Sequence, residues 1–254
     1  METVVIAAVV GFLAQMVDGA LGMAYGVTCT TFLLAMGVPP AAASASVHTA
    51  EVFTTAVSGV SHWRLGNVDR ALFWRLLAPG VLGGVIGAYI LVSVPTDVIR
   101  PVVAVYLAAM GLLILVKALR RYQPRPNLGA GVVPLGLLGG LCDAIGGGGW
   151  GPIVTSTLVA RGGSPRKTIG SVNSSEFFVT LAQSVTFLLA IGLTGWQVTL
   201  GLLLGGVVAA PLAALACSRV PARALMAAVG VVILVLSLRT IGTTPVVAAL
   251  LAGT

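Results

Sequence analysis

Charge is scarce in this chain: of 254 residues only 8% are Asp, Glu, Lys or Arg, while 57% are hydrophobic. A soluble domain needs a polar shell, and a sequence this poor in charge has too little to build one. The chain therefore reads as an integral membrane protein. Cysteine is scarce as well: Cys29, Cys142 and Cys217 are odd in number, far apart and set in apolar segments. That excludes a disulfide framework and a metal knuckle, and no metal or other cofactor is expected. Only two histidines occur, His48 and His62, with no nucleophile spacing beside them, so the acid–base set of an enzyme is missing. No basic region precedes the apolar run after Met1-Glu2-Thr3, so no cleaved signal peptide is expected. The ten-residue alternating segments of a barrel are absent too. In their place stand 33 glycines and apolar runs of about twenty residues, which suit helices packed closely in a bilayer. The fold class is all-α.

The chain is a duplicated unit. A shift of 125 positions, without a gap, lays Asp18 on Asp143, Gly22 on Gly147, Gly26 on Gly151, Thr30 on Thr155, Pro40 on Pro165, Ser46 on Ser171, Glu51 on Glu176 and Thr55 on Thr180. Each copy begins with two apolar segments, 3–17 and 20–36 in the first and 131–142 and 149–160 in the second, parted by an aspartate and glycines. A twelve-residue helix reaches about 18 Å, short of a hydrocarbon core of roughly 30 Å, so each pair reads as half-helices bent into a hairpin. Full-length candidates follow at 40–61, 69–93 and 98–117, and again at 166–190, 196–218 and 221–240, while the tail at 243–253 is too short to span. Residues 1–122 form the first membrane repeat, 123–130 a cytoplasmic linker and 131–254 the second repeat.

Fourteen Lys and Arg against seven acids would suit a nucleic-acid partner in a soluble protein. In a membrane chain their positions mark topology instead, the partner is the lipid bilayer, and no nucleic acid is expected. Arg64, Arg70 and Arg75 flank one connection; Lys117, Arg120, Arg121 and Arg125 another; Arg161, Arg166 and Lys167 a third; Arg219 and Arg223 a fourth. These are assigned to the cytoplasmic side. The connections at 37–40, 94–97 and 191–195 carry no basic residue and face outward. Three crossings plus a returning hairpin make an odd number, so the second copy lies upside down relative to the first. Charge counting thus predicts two inverted-topology repeats, each a broken helical hairpin plus three transmembrane helices, with a substrate site at midplane where the broken helices meet.

Four acids, Asp18, Glu51, Asp143 and Glu176, sit inside apolar segments as two repeat-matched pairs. An acid near the bilayer centre costs on the order of 3 kcal/mol, so four cost roughly 10 kcal/mol unless they face a cavity or a partner. No Lys or Arg lies centrally in any segment to pair with them. The aspartates precede a half-helix and either cap its free N–H groups or serve the cavity. Glu51 and Glu176 are mid-helix, where capping is unavailable. Ser44, His48 and Thr55 share a helix face with Glu51, and Asn173 and Thr180 share one with Glu176. The hydroxyls of these stripes would also serve as glue between helices. An acid that alternates between closed and open surroundings can take up and release protons, so Asp18, Glu51, Asp143 and Glu176 are candidate proton carriers, with His48 as a relay or a structural partner. The glycine runs either allow close packing or expose backbone amides at half-helix N-termini as an anion site. On the anion reading the substrate meets Gly22, Gly26, Gly147, Gly148 and Gly149, with Ser46, Ser171, Asn173 and Ser174 around it.

The duplicated glycine-rich segment with Gly146 to Gly149 and Pro152, the small-residue helices beginning near Pro40 and Pro165, and Leu65-Gly66-Asn67-Val68-Asp69 ahead of Gly83, Gly84 and Gly87 resemble the sulfite exporter TauE/SafE family. The similarity covers about residues 5–240. The first copy departs from the pattern, reading Met23-Ala24-Tyr25 in its glycine cluster. The resemblance implies secondary transport of a small inorganic or organic sulfur anion, such as sulfite or an organosulfonate, across the cytoplasmic membrane of a bacterium or archaeon. Four buried acids beside an anion require protons or another coupling ion to enter with it. A second reading stays open: the same acids suit a carrier of protons, sodium or a divalent metal.

Overall fold

The computed structural model describes residues 1–21, 23–119, 131–161, 163–192, 195–216 and 222–243. Gly22, Cys217, the linker expected at 123–130 and nearly all of the tail lie outside the described residues. Helices α1 (Glu2–Leu21), α2 (Tyr25–Ala35), α3 (Pro40–Arg64), α4 (Arg70–Ser93) and α5 (Thr96–Leu119) make the first half. The second half repeats the order with α6 (Val132–Gly146), a π-helical turn (Gly151–Thr155) leading into α7 (Ser156–Ala160), then α8 (Pro165–Ile191), α9 (Trp196–Ala216) and α10 (Ala222–Gly242). No strand occurs among the described residues. By length and composition α4, α5 and Lys167–Ile191 of α8 are long and apolar enough to cross a membrane. Their outward residues, Leu82 and Ile86 on α4, Val98, Val102 and Val105 on α5 and Leu189 on α8, are exposed and apolar, as a lipid-facing surface requires.

Local chemistry explains the boundaries. Pro40 and Pro165 open α3 and α8 at a first-turn position, where proline's missing N–H costs nothing. Asp69 ends the Leu65–Asp69 connection and caps α4, its Oδ1 accepting the N–H groups of Ala71 and Leu72 at 2.9 and 3.2 Å. The two breaks fall later than the sequence suggests. Neither helix stops at its aspartate: α1 runs through Asp18 to Leu21, and α6 through Asp143 to Gly146. The carboxylates instead reach forward seven residues. Asp18 Oδ1 accepts the N–H of Tyr25 at 3.3 Å and Asp143 Oδ1 that of Trp150 at 2.9 Å, so each aspartate caps the next helix. With its 20 residues, α1 is also no half-helix, since that length spans about 30 Å. The half-helix reading fits the 11-residue α2 and the 15-residue α6.

Packing follows the duplication. Helix α1 lies along α9 and α6 along α4, the same pair with the halves exchanged, while α3 packs on α8 and α5 on α10, each on its own counterpart. The first pairs are parallel: Gly201 sits against Val4 and Gly205 against Ala8, and Gly83 meets Leu137 as Gly87 meets Leu141. Small residues there let backbones touch. Helices α3 and α8 run antiparallel. Ser58 near the end of α3 meets Asn173 near the start of α8, and His48 faces Phe187 across the same interface. One apolar core surrounds the first hairpin, with Ala14, Val27, Leu33 and Leu202 buried in it; a second surrounds Trp150, with Leu76, Val154 and Val179.

Candidate functional site

The two breaks meet. Gly148 lies so close to the start of α2 that an added Cβ would stand 2.2 Å from Val27 N, and one on Gly26 would stand 2.7 Å from Gly148 Cα. Thr30 of α2 donates its hydroxyl to Gly147 O across this contact. Tyr106 on α5 donates to Gly148 O at 2.8 Å. Beside the contact opens a cavity of about 320 Å³, and all four intramembrane acids line it: Glu51 and Asp143, which are buried, and Asp18 and Glu176, which are half-buried. Gly26, Gly149 and Asn173 of the expected site also line it. Among its lining residues there is no Lys or Arg, and His62 is the one basic side chain.

Helix α3 shows how the sequence builds this wall. Glu51, Thr54, Thr55, Ser58 and His62 follow at helical spacing and all face the cavity. The cavity therefore runs from the breaks toward the end of α3 that carries Arg64, next to Arg70 and the start of α8. There Lys167 Nζ donates to Gly66 O at 2.9 Å. From α8 the cavity is faced by Ile169, Asn173 and Glu176. Asn173 donates to Ser58 Oγ at 3.0 Å, closing the wall between the two helices. Glu51 is 6% exposed, its Oε1 lies against Gly26, and its Oε2 has no hydrogen-bond partner among the described residues. A buried carboxyl oxygen without a donor is costly unless a proton or ligand meets it.

Other expected site residues stand apart from the cavity. Gly147 and Gly148 are consumed by the contact between the breaks. Ser171 Oγ accepts the N–H of Asp69 at 2.8 Å, with Lys167 O 2.7 Å away, and so ties α8 to the α3–α4 connection. Ser174 donates back to Gly170 O at 2.7 Å, and its helix face turns to a separate, mostly apolar cleft. Ser46 is buried in α3 away from the cavity. His48 does not face the cavity either: its Nε2 lies 3.1 Å from Asp143 Oδ2, behind the carboxylate that forms the cavity floor. Gln15, Tyr25, Thr54, Ser58 and His62 line the cavity without having been expected. Four of them had a signal: Gln15 is one turn before Asp18, and Thr54, Ser58 and His62 extend the Glu51 face toward the C-terminal end. Among the described residues no group of three or more His, Cys, Asp and Glu is placed to hold a metal ion.

The family model described as sulfite exporter TauE/SafE matches residues 7–240. The chain belongs to that family. A Bacillus subtilis (strain 168) protein named "Probable membrane transporter protein YtnM" is 42% identical over 250 residues, covering 95% of this chain and 83% of its own. No solved structure matches the chain. As a TauE/SafE protein the chain is a multi-pass membrane transporter and not an enzyme. The glycine-rich segment around Gly146 to Pro152 is the second break and lines the cavity, and Leu65 to Asp69 is the capped connection between α3 and α4.

Proposed function

We propose that the protein is a secondary transporter that moves a small sulfur-containing oxyanion, sulfite or an organosulfonate, together with protons across the cytoplasmic membrane. The observation that carries this reading is the gathering of four carboxyls in one cavity without a lysine or arginine. Two unit charges 4 Å apart interact by about 4 kcal/mol at an effective dielectric of 20, so an anion cannot load beside several carboxylates that have kept their charge. Protons must enter with it, and that requirement is the coupling. Glu51 and Glu176, matched by the repeat and both on the cavity wall, are the proton carriers. The Gly151 amide at the start of the second short helix is the group an oxyanion would meet, while the Gly26 amide bonds the Glu51 carboxyl.

Two inverted-topology repeats, residues 1–122 and 131–254, supply the frame. The antiparallel course of α3 against α8 and the basic residues at one set of connections support it. On that frame the cavity opens toward the cytoplasm, because its α3 wall ends at Arg64. A second reading, a carrier of protons, sodium or a divalent metal, is favoured by the same acids and the unpartnered Glu51 Oε2.

Purified protein in liposomes separates the two. Labelled sulfite or a sulfonate should move under an imposed pH gradient, and Glu176→Gln should abolish the pH-driven component while the protein still folds and inserts. Cation flux without movement of either anion would replace the first reading by the second, and unchanged pH-driven flux in Glu176→Gln would remove the coupling role.

A further inference from the structure

The 125-residue shift also compares the cavity with its own counterpart in the other half. Asp18 corresponds to Asp143, Asn173 to His48, Ser58 to Gln183 and His62 to Phe187. On one side of the Glu51–Glu176 level these positions line an open cavity: Asp18, Ser58, His62 and Asn173 are all part of its wall. On the other side the counterparts of Asn173, Ser58 and His62 are shut, behind Asp143 on the cavity floor. His48, Gln183 and Phe187 are 0%, 0% and 1% exposed.

The closed cluster is held together through Asp143, although Gln183 Oε1 has no hydrogen-bond partner among the described residues. Asp143 Oδ2 accepts from Gln183 Nε2 at 3.0 Å and faces His48 Nε2 at 3.1 Å, while Oδ1 accepts from Trp150 N–H. Ser44 donates its hydroxyl to Ala144 O at 2.7 Å, so His48 Nδ1, 2.8 Å from Ser44 O, must be the donor there. One proton therefore lies between His48 Nε2 and Asp143 Oδ2, since without it a lone pair would face a carboxylate. The Phe187 ring covers the imidazole at a centroid distance of 6.2 Å. On the open side the equivalent bonds to Asp18 are missing: Asn173 is turned to Ser58.

We infer that His48, Gln183 and Phe187, gathered on Asp143, are the shut gate on the face opposite the cavity. In the alternate state their counterparts Asn173, Ser58 and His62 gather on Asp18 and shut the present opening. The two clusters cannot both be closed around a loaded cavity that has to empty, so they exchange. His48 and Gln183 are positioning residues that hold one facing state. This inference rests on the inverted repeat proposed above and not on the identity of the cargo.

The test uses full-length protein in sealed vesicles, with Cys29, Cys142 and Cys217 replaced by alanine and a small membrane-impermeant methanethiosulfonate added from either side. Thr55→Cys, on the cavity wall, should label from the cytoplasmic side, and its counterpart Thr180→Cys, fully buried, from neither. Adding His48→Asn or Gln183→Ala should raise labelling of Thr180→Cys from the outer side by about tenfold, the size of response that losing a buried hydrogen bond gives a two-state equilibrium. The reciprocal Asn173→His, which offers Asp18 the missing partner, should slow labelling of Thr55→Cys by a similar factor. Protection of Thr180→Cys in both gate variants, or its labelling from the cytoplasmic side, overturns the gate. If a gate variant unfolds and labels from both sides, the Asn173→His arm decides, and unchanged labelling there overturns it too. Labelling needs no substrate, so failure of the sulfur-anion reading in flux leaves this result standing, and the reverse.

Discussion

Adding one methyl group at Gly148 tests whether the two breaks are locked together. The residue has φ +146, a conformation that side chains rarely adopt, and its Cβ would stand 2.2 Å from Val27 N, 2.4 Å from Gly26 C and 2.7 Å from Gly26 Cα. All three neighbours are backbone, so no side-chain rotation relieves the overlap. The conformational part costs about 1–2 kcal/mol and overpacking about 1–3 kcal/mol, together about 2–5 kcal/mol. At about 2–4 °C per kcal/mol for a chain of this size, Gly148→Ala should lower the melting midpoint by roughly 5–20 °C. The assay is thermal unfolding in detergent followed by tryptophan fluorescence, to which the fully buried Trp150 contributes. Gly206→Ala is the control: its Cβ meets nothing closer than Tyr25 Oη at 3.5 Å, and alanine in a helix interior gains roughly 0.5–1 kcal/mol over glycine. Gly201 is unsuitable as a control, because a Cβ there would sit 2.5 Å from Val4 O. A Gly148→Ala protein melting within about 1 °C of Gly206→Ala would mean that the breaks do not touch as described.

The capping aspartates should differ in cost. Asp143→Ala strands the Trp150 N–H, one N–H of the Gln183 amide, whose nitrogen keeps Gly140 O, and His48 Nε2, at about 1–3 kcal/mol for each buried group left unpaired, whereas Asp18→Ala loses a single cap bond worth about 0.5–2 kcal/mol. Denaturation midpoints of the two variants check this, and equal losses would refute it. Ala24 has φ 96, the one positive φ among the described non-glycine residues. Ala24→Gly should therefore stabilise the first break by about 1 kcal/mol, read as a higher midpoint, and a lower midpoint would show that the conformation is unstrained.

Much of the membrane architecture was legible from residue order, because in lipid every helix must be long, apolar and internally bonded. The duplication, the helix order and the four exceptional acids all stand in the one-dimensional pattern. The capping reading of Asp18 and Asp143 was visible as an alternative, but its seven-residue reach was not. A carboxylate can bond a backbone amide that far ahead only where the chain between folds back, and glycine count alone does not say where it folds. For the same reason residue order puts the breaks a few residues early.

What the sequence by itself determined is that this chain lies in a membrane as two like halves, each with one aspartate at a break and one glutamate in mid-helix. Only the tertiary structure decided which residues share the cavity with those acids and which are sealed behind them. Helical spacing puts His48 and Ser58 on one face of α3 with Glu51, equally good candidates in one dimension. The antiparallel partner α8 then gives Ser58 an open wall beside Asn173, and with Asp143 of α6 it gives His48 a closed pocket under Gln183 and Phe187. Periodicity names the face a residue is on, but the element packed against that face decides whether it meets water, substrate or protein.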